Sequence, residues 1–125
     1  MTNADILKTL HARLEGLFAW RTVGDAGIVE YSAGGLDRHG DFVVFYLFED
    51  GSDVIVTDLG AGISDAVICG AALTEADVAA IREEAEAAGA ELRGEELLMK
   101  VNEATTDEAL LGFAALLCRI GERAL

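Results

Sequence analysis

The 125-residue chain has no proline, two cysteines and two histidines, and its nine Lys and Arg stand against 23 Asp and Glu, a formal charge of −14. So few bases exclude ordinary binding to a nucleic-acid backbone or an anionic membrane, because both need a cationic footprint. Cys69 and Cys118 each lie in an apolar segment, which suits small buried residues rather than a disulfide framework, so a reducing cytoplasm is the expected location. No apolar run reaches the ~18–20 residues that span a bilayer. Met1 to Asp5 carries no basic stretch followed by an apolar one, so no secretory signal is expected. No complete catalytic motif occurs, and the sequence alone names no reaction.

What is present describes one folded domain over residues 1–125. Apolar residues make up 52%. A chain of this length buries roughly two-thirds of its unfolded surface, enough for a core. No repeat or linker divides it.

Ile6, Leu7, Leu10, Leu14, Leu17 and Phe18 recur at helical spacing after a cap at Asn3, with Trp20 closing the helix and plugging the core. Strands are expected over Ala26–Ser32, Asp41–Phe48 and Asp53–Asp58, the last two joined at Glu49–Ser52. Asp41–Phe48 is apolar on both alternating faces, as in a central strand. A short helix over Ile63–Cys69 follows. A longer one is capped by Thr74 with Asp77 and ended by Gly89, and its apolar stripe is Val78, Ile81, Ala85 and Ala88. Ala90–Arg93 and Glu96–Val101 read as two strands joined near Gly94. Thr105 with Glu108 opens a last helix carrying Leu110, Phe113, Leu117 and Ile120. The order helix, three strands, helices, two strands, helix predicts an α+β domain with an antiparallel sheet.

The segment from Gly40-Asp41 through alternating apolar residues to Leu47, then Val56-Thr57-Asp58-Leu59-Gly60 and a helix ending in Gly70, resembles a phage-associated family of domains of unknown function, numbered 1828. The resemblance runs from Trp20 to Leu125 and departs at Leu59, where the family usually has a second acidic residue. It implies a phage or mobile-element setting and no activity. The element order is also similar to that of type III secretion chaperones, small acidic dimers that clasp an extended segment.

The carboxylates carry the leading functional expectation. Between Glu75 and Glu96 eight of them face Arg82 and Arg93. On the helix, Glu75, Asp77, Glu83, Glu84 and Glu86 occupy ~21 Å of axis, a linear density near that of one DNA strand. Asp50 and Asp53 form a second patch at the hairpin tip. Such faces suit a protein partner with a basic surface, approached by steering and complementary pairing. The expected function is non-enzymatic: a protein of anti-CRISPR or anti-restriction type that inhibits a nucleic-acid-binding host defence protein, by DNA mimicry. It needs no cofactor, no metal and no direct nucleic-acid contact. A bland alternative gives the acidic faces only a solubilising role.

Two other readings stand beside it. A chaperone-like homodimer would hold a partner peptide on the apolar strand Phe42–Phe48 and the Leu-rich last helix. A metal-dependent enzyme would use Asp37, His39, Asp41 and Asp58, since alternating side chains of an extended segment share a side. Gly60-Ala61-Gly62 lacks both the dinucleotide fingerprint and the Walker lysine, and reads as a tight turn rather than a phosphate cradle.

Overall fold

The computed structural model describes residues 2–24, 28–36, 42–61 and 73–122. Helix α1 spans Asn3–Leu14, strands β1 to β4 span Ala19–Val23, Ile28–Leu36, Phe42–Asp50 and Asp53–Thr57, and helix α2 spans Glu75–Ala87. Strands β5, Glu91–Arg93, and β6, Glu96–Val101, precede helix α3, Asp107–Glu122. The six strands form one antiparallel sheet in the order β1-β2-β3-β4-β6-β5. The α+β class and the antiparallel sheet are as the element order predicts. The expected helix over Ile63–Cys69 lies outside the described residues.

The turns follow the local chemistry. Gly51 and Gly94 take φ of +66° and +64° between paired strands, a region where a side chain would be strained. Two caps shift by one residue. Thr2, not Asn3, caps α1: its hydroxyl accepts from the Asp5 N–H while Asp5 accepts from the Thr2 N–H. Asn3 instead donates to the Ser52 carbonyl at 3.2 Å. At α3, Thr106 accepts from the Ala109 N–H, and Thr105 accepts from Asn102, so the Thr105–Glu108 box does not form. At α2 the expected box is present, with Asp77 accepting from the Thr74 N–H at 2.9 Å.

The first helix also ends earlier than its apolar period suggests. Leu17 and Phe18 close a turn onto Leu14, and the chain then leaves as β1, a strand additional to those expected. Trp20 therefore pairs with Tyr31 across an edge strand and is 45% exposed, instead of plugging the core.

The main core cluster lies on one face of the sheet, and Ile55 and Leu98 are buried on the other. Tyr31, Phe45, Leu47, Val54, Val56, Leu97, Met99 and Val101 meet Leu10 and Leu14 of α1, Ile81 and Ala85 of α2, and Leu110, Phe113, Leu116, Leu117 and Ile120 of α3. The ring of Phe45 stacks on Tyr31 and meets Phe18 and Phe113 edge-on. Each such side chain contributes about 1.5–3 kcal/mol by burial. On β3, Phe45 and Leu47 are buried and Tyr46 and Phe48 are half-buried.

Candidate functional site

The apolar stripe of α2 fixes which carboxylates face out. Ile81 and Ala85 are buried and Val78 is half-buried, so the opposite side presents Glu75, Arg82, Glu83 and Glu86 to solvent. Ala76, Ala79 and Ala87, also exposed, leave these charges unobstructed by bulky neighbours. Among the described residues no ion pair engages Glu75, Glu83 or Glu86. The other two carboxylates behave differently. Asp77 is half-buried and holds the helix cap, and Glu84 is half-buried on the flank. The three outward carboxylates span ~17 Å of axis, wider spacing than phosphates along a strand. Exposed Glu91 and Glu95 extend the surface over the hairpin formed by β5 and β6, against which α2 packs.

Asp50 and Asp53 are brought together but not left as a bare anionic tip. They face each other across the β3–β4 pair. Arg93 reaches Asp50 at 3.0 Å, and Lys100 lies 3.6 Å from Asp53. These pairs are exposed and so contribute little to stability, but they offset the local charge. The acidic face that remains is the outer side of α2.

Asp58 sits elsewhere, 2% exposed at the end of β4. One of its oxygens accepts from the N–H groups of Gly60 at 2.8 Å and Leu97 at 3.0 Å. The Leu59 N–H goes to the Thr57 hydroxyl, which itself donates to Glu96. Both amides of the turn are thus engaged within the protein, leaving no cradle for phosphate at Leu59 and Gly60. Asp37, His39 and Asp41, expected beside Asp58 in a metal site, lie outside the described residues. Among the described residues no group of three or more His, Cys, Asp or Glu side chains converges on a point.

For the peptide-holding reading, Phe45 and Leu47 of β3 are buried and Val43, Val44, Tyr46 and Phe48 are half-buried, while the Phe42 side chain lies outside the described residues. On α3 only Leu111 among the large apolar residues is exposed, at 46%. Among the described residues no helix is long and apolar enough to cross a membrane.

Two polar clusters have no counterpart in the sequence reading. Tyr31, fully buried, lies 2.6 Å from His11 Nδ1, and His11 Nε2 lies 3.5 Å from Glu15. Burial raises the Tyr31 hydroxyl far above its usual range, with Glu15 adding to the shift, so the phenol keeps its proton. On the other face Arg21 forks onto Glu30 at 2.8 and 3.4 Å, and the Tyr46 hydroxyl donates to Glu30 at 2.9 Å. The Arg21 hydrogen bonds hold the Glu30 carboxyl below its usual range against its burial, and Tyr46 adds to that lowering. Packing of α1 on β2 assembles the first cluster and pairing of β1 and β3 with β2 the second. Compared with family models, curated proteins and solved structures, the chain finds no match in any of the three.

Proposed function

We propose that this chain is a binding protein rather than an enzyme, and that the outer face of α2 docks onto a basic surface of a protein partner. The observation that supports this most is the exposure of Glu75, Glu83 and Glu86 on one helix side without an ion pair among the described residues, in a chain of charge −14. Uncompensated carboxylates on a rigid, capped helix draw Lys and Arg by long-range steering and then by direct pairing. Screening beyond ~8 Å at physiological salt requires close contact, which the small alanines between the charges permit.

A nucleic-acid-binding partner fits best, because its groove already presents cations to a polyanion. Occupying that groove would block it, the mode of action expected of an inhibitor carried by a phage or mobile element against a host defence protein. Capture from a host lysate in competition with DNA tests this. The intact chain should retain nucleic-acid-binding proteins, lose them as salt rises, and be displaced by DNA. The triple variant Glu75→Lys, Glu83→Lys, Glu86→Lys should retain none. Equal capture by this variant removes α2 from the interface.

A further inference from the structure

The two edges of the sheet differ. At one, β5 has three residues and lies against α2. At the other, β1 pairs with β2 in unbroken register over Ala19–Val23, and Ala19, Trp20, Arg21 and Thr22 are all exposed. An open edge strand offers a row of backbone N–H and C=O groups, which proteins usually guard with proline, a bulge or free charge. Here β1 has no proline and no register shift. Its single charge, Arg21, is tied to Glu30.

We propose that β1 is the interface between two copies of this chain, joined antiparallel edge to edge so that their sheets become continuous. The charge distribution selects this occupant. Around β1 the signs among the described residues nearly balance: Arg21 pairs with Glu30, Arg13 with Asp107 at 2.7 Å, Lys8 stands against Asp5, and Glu15, just past α1, lies beside His11. The acidic α2 lies at the far edge of its own sheet. Strands spaced ~4.8 Å apart put β5 about 24 Å from β1, so the two acidic helices of a dimer stand several screening lengths of ~8 Å apart.

A two-fold axis through such a pair makes one residue face itself. Centring on Arg21 sets like charges opposite, which is unfavourable. Centring on Trp20 sets indole against indole and Arg21 against Ala19 of the second copy. Trp20 is held in place for this: His11 meets it edge-on at 4.7 Å and is itself anchored by Tyr31. Large aromatic side chains are the residues most often found to anchor interfaces.

Sedimentation of the full chain from micromolar to millimolar concentration should show a species of twice the 13.2 kDa chain mass. Trp20 is the single tryptophan, so an exciton couplet in the far-ultraviolet circular dichroism of the dimer requires two chains. Trp20→Glu, which sets carboxylates opposite each other, should sediment as a folded monomer at every concentration, and the couplet of the unmodified chain should fade on dilution. On the unmodified chain, amide exchange at residues 19–23 should slow as concentration rises. A monomer at every concentration, or a dimer whose β1 amides gain no protection, overturns the proposal and leaves the acidic-face reading untouched.

Discussion

A phenol buried to 0% exposure must find a hydrogen-bond partner, and Tyr31 finds it in His11, twenty residues back on α1. Tyr31→Phe keeps the ring and its stack on Phe45 but removes the hydroxyl. The His11 ring is partly open to water, which replaces the lost bond in part, so the cost should be about 0.5–1.5 kcal/mol in urea denaturation. Glu30 gives a prediction in pH. Its carboxyl titrates lower in the folded chain than in the unfolded one. The stability it contributes is therefore complete above the ordinary carboxylate range and disappears as pH falls through the folded value. Glu30→Gln should melt earlier than the parent at neutral pH, and the two melting temperatures should converge in acid. Neither contact is legible in the sequence, and the same holds for the Arg93–Asp50 and Lys100–Asp53 pairs. Their members are far apart in the chain, and only the folded sheet brings them together. The outward set Glu75, Glu83 and Glu86, by contrast, follows directly from helical period once Ile81 and Ala85 are known to be inside.

At the scale of elements, local chemistry reads well where it has one solution. The Thr74–Asp77 box, the hairpin turning at Gly51 and the hairpin turning at Gly94 are all found where the residues predict them. Thr74→Ala should lower stability by about 1 kcal/mol, seen as reduced helix content and an earlier urea midpoint. Where neighbouring residues compete, reading fails by one position. Thr2 and Asn3, and likewise Thr105 and Thr106, are all competent caps, and the backbone angle that decides between them is set by what the helix packs on. Strand β1 is hidden for a related reason: Leu17 and Phe18 prolong the helical period of α1, and only pairing with β2 defines Ala19–Val23 as extended. The turn after β4 stores strain. Leu59 holds φ at +55° with its side chain 54% exposed. A left-handed conformation costs a branched L-residue about 1–2 kcal/mol, and asparagine tolerates it better. Leu59→Asn should therefore raise the thermal midpoint.

As a whole molecule, the protein divides into a nearly charge-balanced end around α1 and β1 and a more acidic end around α2 and β5. With nine Lys and Arg against 23 Asp and Glu, ion pairing cannot offset the charge of −14, so the folded chain repels itself. Stability should accordingly rise, not fall, as salt is taken from low to physiological strength, a trend that thermal melts resolve. The strand order has a consequence for how the chain is made. Strand β6 lies between β4 and β5, although β5 precedes it in the sequence. During synthesis β5 emerges with no neighbour to join and β4 keeps a bare flank, until the next ribosomal steps deliver β6 through Val101. The β5–β6 hairpin can therefore join the first four strands only in the final third of translation, with β6 against β4 and β5 left as the outer edge.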